Sequence, residues 1–284
     1  MSNHLTESIL NSNVIEKFSK IKISLFFLPL LLLSTILLFL YSHNALSTYK
    51  YIEIQKNCFY FINSKLAQFP TIIYNLNHIG DTLIFLSFLS IFIVYAPKVW
   101  ESLLSATIVA AIFSKLLKAF FSVPRPAAAL DNDTFVIIGE KLVGFNSLPS
   151  GHSITVFTTI SIVMFAFMPN KITNKILWSS IIVVFGLFIA FIRVGVGAHF
   201  PLDVVIGCII GYISALIGIL ISVNYKIWSW INNKKYYPVF ILLFTVFCIL
   251  LVVKIVEENL IIYYLSIISL IVSLYKITHA YIKK

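Results

Sequence analysis

A chain of 284 residues that is 60% hydrophobic and 11% charged, with a mean hydropathy of +0.97, is not built to fold in water. Its formal charge of +10 is scattered over short loops with no continuous basic face, which excludes the pattern expected of a nucleic-acid partner. Cys58, Cys208 and Cys248 stand far apart, so neither a disulfide frame nor a CxxC metal motif is available.

Residues 1–22 read as a polar cytoplasmic tail ending in Lys17, Lys20 and Lys22. An apolar run follows from Ile23 to Tyr41. Ala45-Leu46-Ser47 has the small residues of a signal cleavage site, but the run is longer than a usual signal core and reads as an uncleaved first span. Residues 48–76 mix Lys50, Glu53, Lys56 and Lys65 with Phe59, Phe61 and Leu66, the pattern of an amphipathic helix on the membrane surface that Pro70 would end. Further spans are expected at 80–97, 100–122, 152–169, 176–194, 201–222, 237–254 and 259–278.

A membrane-crossing helix needs about 20 apolar residues. Bare backbone has no water partner in lipid, so spans without strand-like alternation must be helical. The fold class is therefore all-α, a polytopic bundle of about eight spans. Gly207, Gly211 and Gly218 form a small-residue stripe suited to an internal helix contact. Residues 223–284 form a C-terminal hairpin of two spans.

Charge counting orients the bundle. With the N-terminus inside, eight spans return the C-terminus to the cytoplasm. Twelve of the 21 basic residues, among them Lys171, Lys175, Lys234, Lys235, Lys283 and Lys284, then face the cytoplasm with only three of the 11 acids, Glu7, Glu16 and Glu101. Nine basic residues and eight acids are left for the other side.

Three polar clusters fall on that extracytoplasmic side: Lys118 to Arg125-Pro126, Pro149-Ser150-Gly151-His152, and Arg193 to His199 and Asp203. Each residue taken alone has an ordinary structural reading. Lys118 could be a snorkelling anchor, and Asp203 could merely complement its helix start. Together they hold three cations at a lipid edge, which is costly unless an anion is bound. Guanidinium forks match phosphate oxygens, and helix-start amides near Ser150 and Gly151 would face the same anion. Asp203, four residues after His199, can reach back to fix the imidazole, making His199 a nucleophile for a phosphoryl group. His152 suits the acid and base role. No HxxE motif lies nearby, and Asp131 and Asp133, which flank an Asn in the long loop, are too little for a Mg²⁺ or Ca²⁺ site.

The pattern Lys-x6-Arg-Pro, Pro-Ser-Gly-His and Arg-x5-His-x3-Asp resembles the type 2 phosphatidic acid phosphatase superfamily. The resemblance implies a six-span core over 23–222, a phosphohistidine on His199 with Asp203 as its partner, and His152 as acid and base. Lys118, Arg125, Ser150, Gly151 and Arg193 would bind phosphate, with no metal or other cofactor. The expected protein is a lipid phosphatase of the bacterial cytoplasmic membrane, acting outward on phosphatidic acid, phosphatidylglycerol phosphate, undecaprenyl diphosphate or a lipid A type substrate. Transfer to a lipid acceptor is an alternative, and a transporter or anion-binding protein is the non-enzyme reading. Ile192 departs from the Ser that usually precedes the third-cluster Arg. Head-group selectivity is expected from residues 127–148, through Asp131, Asp133, Glu140 and Lys141, and from residues 48–76.

Overall fold

The computed structural model describes residues 2–283, with side chains from residue 9. Lys284 and the Glu7 side chain, both used in the charge count, lie outside the described residues. The apolar runs fold as helices, and no strand occurs among the described residues. In chain order they are α1 (Ser2–Ser19), α2 (Phe27–Ser42), α3 (Thr48–Leu66), α4 (Pro70–Asn77), α5 (Thr82–Leu89), α6 (Phe92–Tyr95) and α7 (Pro97–Phe121). They continue as α8 (Pro126–Ala129), α9 (Gly151–Ala166), α10 (Ile172–Gly195), α11 (Pro201–Asn224), α12 (Tyr237–Glu258) and α13 (Ile261–Ile282).

Six segments among the described residues are long and apolar enough to cross a bilayer, beginning with Ile23–Ser42 and ending with Ile261–Ile282. The chain is an integral membrane protein. Two of the eight expected spans take a different form. Helix α9 has 16 residues, about 24 Å at 1.5 Å per residue, and lies largely buried within the bundle. The run 80–97 is broken: the segment Pro70–Gly80 meets α5 at 74°, and Ser90 and Ile91 separate α5 from α6. Helix α13 serves the polar groups at that break. Ser90 Oγ donates to Ser273 Oγ at 2.7 Å, and Ser269 Oγ donates to the Ser87 carbonyl at 3.0 Å.

Helix α11 is the central element. Its glycine stripe is an internal contact, as the spacing suggests. A Cβ on Gly207 would stand 2.7 Å from the Ser150 carbonyl, and one on Gly211 would stand 2.5 Å from the Ile154 carbonyl, both on α9. Gly218 faces Ala106 of α7 in the same way. These contacts fix the distance between the start of α9 and the start of α11, where two of the polar clusters lie.

The segment 48–76 is not one surface helix, because Pro70 opens α4 at its first turn instead of ending the helical structure. Helix α3 buries Tyr51, Gln55, Phe59 and Asn63, a four-residue repeat on one face, against protein. Gln55 Oε1 accepts from the Leu202 amide at 2.9 Å, and Asn63 Nδ2 donates to the carbonyls of Val136 and Gly195, each at 2.9 Å. Helix α3 is thus a strap across the loops that carry the clusters. At the other flank, Phe240, Phe244, Tyr263 and Leu270 of α12 and α13 pack with Trp100 and Ile84.

Candidate functional site

Lys118 lies in the last turn of α7, where a cation complements the helix dipole. Past it, Ser122 takes a left-handed conformation (φ 45°) and turns the chain into the loop that holds Arg125. That loop is tied to itself by Arg125 N–H to the Gly144 carbonyl (2.9 Å) and Ser147 N–H to the Val123 carbonyl (2.9 Å). Arg125 Nε donates to Asn146 Oδ1 at 2.7 Å, which leaves Nη1 3.4 Å from His199 Nε2.

In the second cluster Ser150 is the N-cap of α9. Its hydroxyl accepts from the Ser153 hydroxyl at 2.9 Å, and its amide donates to the Asp203 carbonyl at 3.0 Å. The amides of Gly151 and His152 belong to the first helical turn, which has no intrahelical acceptor for them. Lys118 Nζ lies 3.4 Å from where a Cβ on Gly151 would stand, so the ammonium sits directly beside this helix start.

Arg193 ends α10. Its Nη1 donates to Asn77 Oδ1 at 2.6 Å, while its buried Nε has no hydrogen-bond partner among the described residues. The chain then reverses through Gly197, at φ 78°, where a Cβ would stand 2.8 Å from the Val136 carbonyl. The reversal lets the amides of Ala198 and His199 both reach the Arg193 carbonyl, at 3.0 and 3.2 Å, and presents His199 beside Arg193.

Lys118, Arg125, Gly151, His152, Arg193 and His199 line one cavity of about 370 Å³. Two predicted site residues do not line it. Ser150 and Asp203 are fully buried behind the wall. The direct bond expected between Asp203 and His199 is not made: Oδ2 lies 3.7 Å from Nδ1, beyond hydrogen-bond range. The carboxylate is committed elsewhere. Oδ2 accepts from the Phe200 amide at 3.0 Å, half of a capping box on α11, and from Ser147 Oγ at 2.6 Å; Oδ1 accepts from Tyr51 Oη at 2.7 Å. Ser147 Oγ is also 3.4 Å from His199 Nδ1, so the serine hydroxyl lies between imidazole and carboxylate.

His199 lies in the turn between α10 and α11. Burial, and next the Arg125 cation, hold its imidazole pKa well below the usual histidine range, so the ring is neutral at pH 7. Its Nδ1 faces Ser147 and Asp203, and its Nε2 faces Arg125.

Several cavity residues lay outside the three clusters. Asn77 and Asp81 come from the bend before α5, and Lys254 and Glu258 come from the end of α12. A lone acid opening an apolar run, as Asp81 does, was the available signal. Tyr51, Asn146 and Ser147 carried none, because hydroxyls and amides near a membrane edge are common. Of the loop charges expected at the entrance, Glu140 lines the cavity, and Asp131, Asp133 and Lys141 are not part of its lining. Ile192 is fully buried in the apolar cluster of Phe59, Val196 and Phe200.

Fold and site together define a class: a helical membrane protein with a cationic, histidine-bearing cavity at one end of its bundle. Residues 100–228 match the model of the PAP2 superfamily. The chain is 35% identical over 111 residues to the bacitracin transport permease protein BcrC of Bacillus licheniformis, an overlap of 39% of this chain and 49% of BcrC. It thus spans about half the length of that curated relative. The crystal structure of Aquifex aeolicus LpxE is similar over 59% of this chain and 95% of that one, at 24% identity and a TM-score of 0.49.

Proposed function

We propose that this protein is an integral-membrane lipid phosphatase that cleaves a phosphomonoester or pyrophosphate of a membrane lipid through a phosphohistidine, without a metal. The observation that carries this reading is the convergence of Lys118, Arg125 and Arg193 with His152 and His199 on one cavity of about 370 Å³. The match of residues 100–228 to the PAP2 superfamily supports it.

In this reading the three cations and the first-turn amides of α9 bind the phosphoryl oxygens and take up the charge that develops on them. The buried, unpartnered Nε of Arg193 has the donor such an anion needs. His199 Nε2 attacks phosphorus, and the bond from phosphorus to the leaving oxygen breaks as His152 gives that oxygen a proton. His152 then takes a proton from water, whose oxygen bonds to phosphorus as the P–N bond to His199 breaks. Free phosphate leaves, and both histidines return to their starting forms. Ser150 and Asp203 act from behind the wall, Ser150 by capping α9 and Asp203 by anchoring the turn that bears His199.

The charge count supports an extracytoplasmic cavity, which would give access to lipids of the outer leaflet. The candidate substrates are phosphatidic acid, phosphatidylglycerol phosphate, undecaprenyl diphosphate and a lipid A type phosphate. If a lipid hydroxyl takes the place of water in the second half, the same residues perform transfer.

The test uses purified full-length protein in detergent with each of these lipids. Phosphate release that resists EDTA and is abolished in Lys118→Ala, His152→Ala and His199→Ala supports the reading. Release at the unmodified rate from all three variants overturns it. Thin-layer separation of labelled products distinguishes free phosphate from a newly phosphorylated lipid.

A further inference from the structure

The cavity has a second tier that the PAP2 match over residues 100–228 does not reach. Gly80 and Asp81 sit at the 74° bend before α5, directly against His152. A Cβ on Gly80 would stand 2.7 Å from His152 Cδ2, 3.1 Å from Cβ and 3.2 Å from Cγ, so that edge of the histidine packs directly against the glycine. Asp81 Oδ1 is 2.9 Å from His152 Nε2, and its Oδ2 is 2.9 Å from His78 Nδ1. Glycine against one edge of the ring and a carboxylate on Nε2 together restrict how the imidazole can turn.

The chain of contacts continues into the C-terminal hairpin. His78 packs edge to face with Tyr74 and Tyr263, at ring-centroid distances of 5.1 and 5.4 Å. Its Nε2 is 3.6 Å from Glu258 Oε2. Glu258 in turn accepts hydrogen bonds from Tyr74 Oη, at 2.8 Å, and from Tyr263 Oη. Asp81 is therefore held from behind by a histidine that α12 and α13 hold in place.

We propose that Asp81 is a positioning residue for His152, and that Glu258 and Tyr263 extend its support so that the C-terminal hairpin is a working part of the active site. This rests on the reading of His152 as the acid and base. Asp81 takes the Nε2–H of His152, which leaves Nδ1 as the proton-transfer atom. In the first half Nδ1–H passes its proton to the leaving oxygen as the P–O bond breaks. In the second half Nδ1 accepts a proton from the water that displaces His199 from phosphorus. A carboxylate on the opposite nitrogen keeps the tautomer correct and balances the imidazolium that precedes the first transfer and follows the second.

A support for general-acid work has a signature that a merely structural contact lacks. It matters for a poor leaving group and little for a good one. The experiment compares dioleoyl phosphatidic acid, whose leaving alkoxide needs a proton, with 4-nitrophenyl phosphate, whose leaving group does not. On phosphatidic acid, Asp81→Asn is expected to lower kcat about 100-fold with KM nearly unchanged, and on 4-nitrophenyl phosphate only about threefold. Asp81→Glu should recover part of the loss. Glu258→Gln and Tyr263→Phe should show the same leaving-group dependence at about three- to tenfold. Gly80→Ala, which displaces the ring without touching the carboxylate, gives an independent variant should Asp81→Asn fail to fold.

Equal losses on the two substrates, or no loss in folded Asp81→Asn and Gly80→Ala, overturn the proposal. Failure of the phosphatase reading itself would look different. There, unmodified protein hydrolyses neither substrate, or His199→Ala remains active.

Discussion

Tyr51 Oη donates a 2.7 Å hydrogen bond to Asp203 Oδ1 across 152 residues of sequence. The contact joins the strap helix α3 to the first turn of α11, and it lies where both side chains are buried. Asp203 accepts two further hydrogen bonds, from Ser147 and the Phe200 amide, so its carboxylate is satisfied before any substrate arrives.

Removing the tyrosine hydroxyl should therefore loosen the site without destroying it. Tyr51→Phe leaves one lone-pair set of a buried carboxylate unpaired, a cost of about 1–3 kcal/mol. A lower thermal midpoint with a modest loss of kcat is expected, measured by melting in detergent and by phosphate release. An unchanged midpoint would contradict the role assigned to this contact.

The pH dependence follows from His199. Its pKa is depressed by burial first and the Arg125 cation second, so the charged imidazole is the disfavoured form in the folded protein. As pH falls from 7 the ring stays neutral and able to attack, and it is lost as a nucleophile only well below the usual histidine range. The acid limb of kcat/KM, which reports the free enzyme, should lie well below pH 6.5. Arg125→Gln removes one cause of the depression. Whatever it does to the rate, it should move that limb to higher pH.

Arg193 offers a sharper test of geometry than of charge. Its Nη1 is taken by Asn77 and its Nε is free among the described residues. Arg193→Lys keeps the cation but loses the planar fork, and an ammonium cannot serve both partners with the same spacing. A fall in kcat/KM on the order of 10²-fold is expected, the scale of one lost oxyanion donor. Activity within twofold of the unmodified protein would show that charge alone suffices.

Gly207 controls the site from outside it. Gly207→Ala would put a Cβ 2.7 Å from the Ser150 carbonyl and 3.4 Å from the Ser150 amide, both fixed backbone atoms. Overpacking of this kind costs about 1–3 kcal/mol, and it pushes the start of α9 away from α11. Lower stability should be accompanied by a rise in KM as Gly151 and His152 shift from the cations. Melting and steady-state kinetics on the same preparation check both effects.

The three clusters were legible in the sequence because their chemistry is local. A Lys-x6-Arg-Pro run, a Ser-Gly-His helix start and an Arg-x5-His turn each place their functional atoms within a few residues of a helix end. Local chemistry also suggested the Asp203 to His199 pairing, which the structure keeps at ion-pair distance, 3.7 Å, without a direct hydrogen bond. Asp203 occupies the third position of its own helix, where its carboxylate is drawn to the Phe200 amide. Its remaining capacity is taken by Tyr51 and Ser147, and no spacing rule reaches those residues. The run 80–97 misled for a related reason. Hydropathy alone reads it as one span, whereas the chain breaks at Ser90 and Ile91, beside which Ser269 of α13 donates to the Ser87 carbonyl and Ser273 accepts from the Ser90 hydroxyl.

By itself the sequence determined that the chain is a helical membrane protein, since apolar length and the demand for backbone hydrogen bonds leave no other form for these runs. It also determined the pairing of cations with histidines, because those residue types stand at helix ends. Only the tertiary structure decided how the histidines are supported. Asp81, His78, Glu258 and Tyr263 meet because a bent segment brings α5 between the core and the C-terminal hairpin. Contacts over such separations depend on helix packing, which residue order does not encode locally.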